Sequence, residues 1–250
     1  MTARKGRYTR LLVNEWDFSG QSNSLEVALT NGTQDVTAFQ DTGAVNLLLD
    51  GEGTITQQGY FDSGASAGAG YFEKEIYDSI ANGETLYVGA LFGTDTQACP
   101  AYVARATNTE GLTINAEAGG IITANGSWFQ GVGIKRGLRV WTGTFSATGA
   151  QTSPAYIDLG AAGADGGFAW LWVQTITGTA TNASIVLQSD DNTGFSTPGT
   201  ECTFTFSAVG GYEQAISGTV DRYVRLNCSS MGGATSFVVV CVAAVSGVTY

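Results

Sequence analysis

"SLEVALT", residues 24–30, decides the fold class: Leu25, Val27 and Leu29 alternate with Ser24, Glu26, Ala28 and Thr30. Successive residues of a strand point to opposite faces, so apolar side chains at every second position belong to a half-buried β-strand. Working outward, Asn31-Gly32 predicts a turn and Val36 to Phe39 starts another strand. Residues 40–53, "QDTGAVNLLLDGEG", read as a long connection with three consecutive leucines between turn formers. Exposed apolar loops are costly in a monomer, so this one covers a core or docks on a partner. The competing reading makes Leu47, Leu48 and Leu49 an ordinary strand of the subunit's own core.

The same strand grammar continues along the chain. Leu86 to Phe92, Tyr102 to Ala106, Leu112 to Ala116, Ile121 to Trp128 and Leu138 to Thr144 are predicted strands. "YFEKEIYDSIAN", residues 71–82, is the one convincing helix, with Phe72, Ile76 and Ile80 on one face and Asn82-Gly83 as its stop. Residues 146–167, "SATGAQTSPAYIDLGAAGADGG", are small and turn-rich, which places a domain boundary near residue 146. Two domains are expected, 1–145 and 146–250. A piece ending near Gly143 and another starting near Gly149 should each fold. Beyond the boundary, Phe168 to Ile176, Ala183 to Gln188, Cys202 to Phe206, Tyr223 to Leu226 and Phe237 to Val245 are strands of a small β-sandwich.

One sentence is written nearly twice. "ITQQGYFDSG" (55–64) and "ITANGSWFQG" (122–131) match once a residue is shifted after the first Gly. Either a motif was duplicated for symmetry, or similar strands end in similar corners.

Composition agrees with an all-β chain rich in turns: 250 residues with 35 Gly and 3 Pro. There is no His, which removes Ser-His-Asp and Cys-His nucleophiles, HExxH zinc sites and a histidine pH switch. The net charge of −11, from 11 basic and 22 acidic residues, makes a poor gripper of duplex DNA. Arg4, Lys5, Arg7 and Arg10 crowd the start, but only Leu11-Leu12-Val13 follows. That is too short for a signal peptide and reads as a flexible or docking arm. Phe237 to Val245 falls far below the roughly 20 residues that span a bilayer as a helix. The chain is therefore expected to be soluble and unsecreted, with no membrane partner.

The chemistry-bearing residues are sparse. Cys99, Cys202, Cys228 and Cys241 lack CxxC spacing and read as buried thiols, with a disulfide among the last three as the alternative. Asp190-Asp191-Asn192-Thr193-Gly194 opens like a calcium loop, and Glu201 stands at its twelfth position. The flanks are strands, however, and a hairpin turn wants the same residues. Glu73, Glu75 and Asp78 lie on the polar side of the helix, where a solvated surface is the reading preferred over acid–base chemistry. Trp170 and Trp172 share a sheet face, suited to stacking on sugars or to filling a core or interface. No catalytic constellation, cofactor motif or metal set is expected.

In order, "NEWDFSGQSNSLEV" (14–27), "QDVTAFQD" (34–41), "GTITQQGYFDSG" (53–64), the helix, "YVGALFGTD" (87–95) and "LTINAEAGGIITANGSWF" (112–129) resemble the major tail (tube) protein of long, non-contractile-tailed phages. The stretch 168–245 looks, more loosely, like the β-sandwich often appended to such proteins. The resemblance implies a tail-tube-type β-sandwich or barrel with one flanking helix, followed by a small C-terminal β-sandwich. It implies rings, commonly hexameric, stacked into a tube whose lumen passes DNA without specific binding. Partners would be further copies of the chain and the tape-measure, terminator and distal tail proteins. The place would be the virion tail, assembled in the host cytoplasm.

Asp41, Val45, Leu47, Leu48, Leu49 and Asp50 would then form the inter-ring contact, and Asp17, Glu26, Asp62 and Glu117 are candidate lumen acids. The twin segments would be equivalent strands in two halves of a pseudo-symmetric barrel. Other readings are a carbohydrate-binding or adhesin-like tail accessory protein, favoured by exposed Trp170 and Trp172, and a capsid decoration protein. A glycosidase would need two carboxylates facing each other across about 5–10 Å.

Overall fold

The computed structural model describes residues 9–35, 46–61, 72–93, 98–130 and 133–248. Within them the chain is nearly all β. In order come β1 Thr9–Val13, β2 Trp16–Asp17, β3 Ser22–Asp35, β4 Asn46–Tyr60, α1 Phe72–Asn82, β5 Leu86–Phe92, β6 Pro100–Thr107, β7 Thr109–Asn115, β8 Thr123–Gln130 and β9 Lys135–Phe145. There follow β10 Gly149–Ala150, β11 Ile157–Asp158, β12 Gly167–Gly178, β13 Ala183–Asp190, β14 Gly199–Phe206, β15 Gly210–Ile216, β16 Tyr223–Ser230 and β17 Ala234–Val245.

The strands divide into two compact units. One takes 21–88 and 104–135; the other takes the described parts of 1–20, 89–103 and 136–250. The division differs from a cut near residue 146. β9, before that point, is hydrogen-bonded to β17, with Phe145 opposite Phe237. A turn-rich linker changes local composition without deciding which strand supplies the next pair of hydrogen bonds.

The first unit is a four-stranded antiparallel sheet in the order β3-β4-β8-β7. The expected turn at Asn31-Gly32 is absent, since β3 runs through it. Gly32 sits at a shift in register, between the pairs Asn31–Gly51 and Thr33–Leu48. A bulge asks for the same permissive residue as a turn. The expected loop at 40–53 is also corrected in part. Asn46 to Gly53 belong to β4, where Leu48 opposes Thr33 and Leu47 opposes Gln34. The strand expected at Val36 to Phe39, together with Asp41 and Val45, lies outside the described residues.

α1 lies against β7 and β8. Phe72 and Ile76 are buried as the pattern demands, but Ile80 is exposed and Ser79 is buried in its stead. The Ser79 hydroxyl donates to the Ile76 carbonyl at 2.8 Å and shares a hydrogen bond with Thr109 Oγ1 at 2.7 Å, so the helix turns a polar contact toward β7. The end is a Schellman motif: Glu84 N–H reaches Ser79 O, Gly83 N–H reaches Ile80 O, and Gly83 has φ +63°.

The second unit contains an eight-stranded sheet, β15-β12-β17-β9-β6-β5-β1-β2, and a smaller sheet, β10-β16-β13-β14, with β11 also on β16. Leu171, Val173, Val239 and Cys241 of the larger sheet share a core with Ile185, Leu187, Phe204 and Leu226 of the smaller. The Phe237 ring anchors it, with centroids 5.2 Å from Phe206 and 5.9 Å from Phe145. Burying each such side chain contributes about 1.5–3 kcal/mol. β12 and β17 are buried on both faces, which is why "FAWLWV" and "FVVVCVAAV" read as continuous apolar runs. β15, which the sequence reading missed, is an edge strand beginning with two glycines.

Candidate functional site

The four-stranded sheet has two unlike faces. Ile55, Gln57, Gly59, Ala124, Gly126 and Trp128 lie on the side covered by α1 and are all buried. The Phe72 ring meets Trp128 edge-on at 6.3 Å. A Cβ on Gly126 would stand 2.8 Å from Phe72 Cζ, so glycine is what lets the helix seat there.

The opposite face is polar. Register places Glu26, Thr56, Ser127 and Gly111 in one cross-strand row. Ser24, Gln58, Asn125 and Thr113 form the next, and Thr30 opposes Glu52. Glu26, Thr30, Glu52 and Gln58 are exposed. Neither Lys nor Arg occurs anywhere in β3, β4, β7 or β8, whereas Glu26, Asp35, Asp50, Glu52 and Glu110 do. The face therefore offers hydroxyls, amides and carboxylates, with the exposed rings of Phe129, opposite Thr54, and Tyr60, opposite Thr123, on the same side, and no cation for a polyanion to pair with. Exposed large apolar side chains gather in this unit as well: Leu29, Tyr60, Ile114, Ile121, Ile122 and Phe129. Among the described residues, the other unit exposes only Val209.

Of the four candidate lumen acids, three lie among the described residues, each in a different part of the chain. Glu26 is on the polar face. Asp17 is in β2 of the other unit, paired with Arg10 at 3.2 Å and hydrogen-bonded to Ser19. Glu117 lies in the exposed turn after β7, where its carbonyl accepts from Gly120 N–H. Asp62 lies outside the described residues. Glu52, which the sequence reading placed in a loop, shares the polar face with Glu26. Only the β3–β4 register, not the local pattern, reveals that.

The remaining constellations resolve differently. Trp170 and Trp172 do share a face, but both are 0% exposed, so neither stacks on a sugar. Trp170 Nε1–H donates to Glu213 at 2.6 Å, and Trp172 packs over Gly89. Asp190 accepts from the N–H groups of Asn192 and Thr197 at 3.0 and 3.2 Å, while Asn192 Oδ1 accepts from Gly194 N–H. Burial works to raise the Asp190 carboxyl, but those N–H groups outweigh it and hold the group below its usual range. The loop is thus a hydrogen-bonded turn. On α1, Asp78 pairs with Lys74 at 2.5 Å. All four cysteines are buried thiols. Burial pushes the Cys202 thiol up to about 12. Among the described residues no group of three His, Cys, Asp or Glu could hold a metal ion, and no helix is long and apolar enough to cross a membrane.

The twin segments are neighbours, paired antiparallel as β4 and β8.

No protein-family model and no curated protein matches the chain. Solved structures match at low similarity. A chain of the virion of a native gene transfer agent particle is 14% identical, covering 54% of this chain and 98% of its own, with TM-score 0.37. A chain from the tail of an empty gene transfer agent particle, computed with helical refinement in C6 symmetry, is 14% identical over 53% and 97%, with TM-score 0.37. A chain of the phage p2 baseplate in its activated conformation with Sr is 6% identical over 92% and 97%, with TM-score 0.34. Likeness at this level assigns no function.

Proposed function

We propose that the chain is a structural subunit of a long, non-contractile phage tail, forming hexameric rings that stack into a tube around the channel for DNA ejection. The observation that carries the reading is the polar sheet face, which four strands build without a single Lys or Arg. A wall of neutral polar groups and carboxylates lets duplex DNA slide, because affinity for it depends on cations displacing its counterions. Glu26 and Glu52 are the acids assigned to that wall.

The sheet's two edges, β3 and β7, fit a head-to-tail contact: the β3 edge of one copy pairs with the β7 edge of the next, which closes a ring. The exposed apolar side chains of the same unit would be covered as copies join. Asp41, Val45, Leu47, Leu48, Leu49 and Asp50 would contact the neighbouring ring. Tape-measure, terminator and distal tail proteins would be the other partners, and the virion tail the location.

The test is electron microscopy of the purified protein over a range of concentrations, with its mass measured in parallel. Rings and hollow tubes are expected. A monomer at every concentration, together with failure to enter tails when co-expressed with the other tail proteins, would sink the proposal.

A further inference from the structure

β16 turns Val224 and Leu226 into the core of the second unit, which leaves Tyr223 and Arg225 on the outer face of the smaller sheet. Beyond residue 143, Arg222 and Arg225 are the only cations. Arg222 is engaged by Asp158 through two contacts of 2.7 Å. Arg225 has no carboxylate of its own. Register sets a neutral amide opposite it, and its Nε–H donates to Gln188 Oε1 at 3.0 Å. The charge of Asp190 reaches it, but the Asp190 oxygens already accept from Asn192 and Thr197. Among the described residues nothing accepts from Nη1 or Nη2 of Arg225, so that side of the guanidinium fork is unused.

Three rings from separate segments gather beside it. Phe195, from the loop after β13, holds the guanidinium on its ring, with Arg225 Cζ 4.1 Å from the centroid. Tyr156 stands 6.1 Å from Phe195 and meets Tyr223 edge-on at 5.5 Å. Phe195 is buried at φ +48°, a conformation that a bulky residue keeps only where its surroundings enforce it. The ring and the Gln188 amide fix the plane of the guanidinium without neutralising it. Burial works against its charge, and a cation withdrawn from water without a counter-ion is costly.

We propose that this patch binds a small ring-bearing monocarboxylate, with Arg225 as the anion-binding group and Tyr156 and Tyr223 as the surface for the ring. The two carboxylate oxygens accept side by side from Nη1 and Nη2, the geometry a planar fork is built for. Tyr156 and Tyr223 are half-buried, so each keeps ring surface for an apolar body to rest on. Asp191 and Asp221 flank Asp190 and Arg222 in the chain, and no further cation offsets them. That balance favours a singly charged carboxylate over a doubly charged phosphate. The site makes no use of ring assembly.

The experiment is a titration of the ¹⁵N-labelled full chain at neutral pH with benzoate and with glucuronate. It is read at the Arg225 Nε–H signal, assigned from Arg225→Lys, and at the Phe195 backbone amide. A saturable shift is expected with at least one acid, and which one responds tells an aromatic body from a sugar body. Benzamide and glucose, the uncharged counterparts, should bind about tenfold more weakly, and so should benzoate or glucuronate to Arg225→Lys, which keeps the charge and loses the fork. Inorganic phosphate should give no saturable shift. If Arg225→Lys does not fold, the wild-type titrations decide alone. No saturable shift with either acid overturns the proposal, as does equal binding of phosphate or unchanged binding in folded Arg225→Lys.

Discussion

Gln57 of β4 lies directly opposite Gly126 of β8, and Gly59 of β4 lies directly opposite Ala124. In the doubled motif Gln57 corresponds to Ala124 and Gly59 to Gly126. The two pairs therefore exchange under a local two-fold centred on the Gln58–Asn125 pair. The repeat sets two glycines on one sheet face, and each admits a different neighbour.

That arrangement sets up the first prediction. A Cβ at Gly59 would meet the Gln21 backbone carbonyl, which accepts from Tyr60 N–H, whereas at Gly126 it would meet side chains, the far edge of the Phe72 ring and the Trp128 ring. Backbone cannot step aside as a ring can. Gly126→Ala should cost about 1–3 kcal/mol as an overpacked core site, and Gly59→Ala should cost more. Urea unfolding of both variants checks the order.

Asp158 and Arg222 make a forked pair, Nε to Oδ1 and Nη2 to Oδ2, both 2.7 Å. The Arg222 hydrogen bonds, opposed by burial and aided by Gly160 N–H, hold the Asp158 carboxyl below its usual 3.8. The folded chain then binds fewer protons than the unfolded one. Its stabilisation is complete above about pH 4 and lost as pH falls through the folded value. The pair is exposed, so Asp158→Asn should lose only about 0.2–1 kcal/mol at pH 7 and flatten the acid limb of the stability–pH curve.

Glu201 has the opposite sign. Burial raises its carboxyl above the usual 4.5, against the Ser189 hydroxyl that donates to it at 2.6 Å. Protonation thus favours the fold, and a penalty develops as pH rises through that window. Glu201→Gln should be more stable than the wild type at pH 7 and lose that advantage near pH 4, as read by thermal melts at the two pH values.

The cysteines should be inert while the chain is folded. Burial holds the Cys202 thiol near 12 and raises Cys241 and Cys228, so almost no thiolate exists at pH 8. Iodoacetamide should label none of the four at pH 8 in buffer and all four in denaturant, counted by mass spectrometry. Rapid labelling of the native protein would contradict the buried core.

The leucine run now has a sharper test. Leu47 and Leu48 are paired with β3, so Leu47→Ser, Leu48→Ser and Leu49→Ser together probe a strand and not a free loop. On the ring-contact reading the triple variant keeps a near-normal melt and forms no tubes. On the core reading it melts markedly lower. In the same assay Glu26→Lys with Glu52→Lys, both exposed, should change stability by no more than about 0.5 kcal/mol. In assembled tails that pair should slow DNA release.

Period-two alternation at 24–30, the apolar run at 237–245 and the 71–82 helix pattern determined their elements locally, because each depends only on which side chains a short segment must bury. Hydrogen-bond partners are a different matter. Nothing in Asn31-Gly32 separates a turn from a bulge until β4 lies alongside with Leu48 opposite Thr33. Nothing near residue 146 reveals that β9 pairs with β17 across it. Alternation put Trp170 and Trp172 on one face, yet whether that face was wet depended on distant chain, including Gly89, whose missing Cβ makes room for the Trp172 ring. The polar, cation-free face followed the same rule: the residues are legible in four separate segments, and long-range register alone made them one surface.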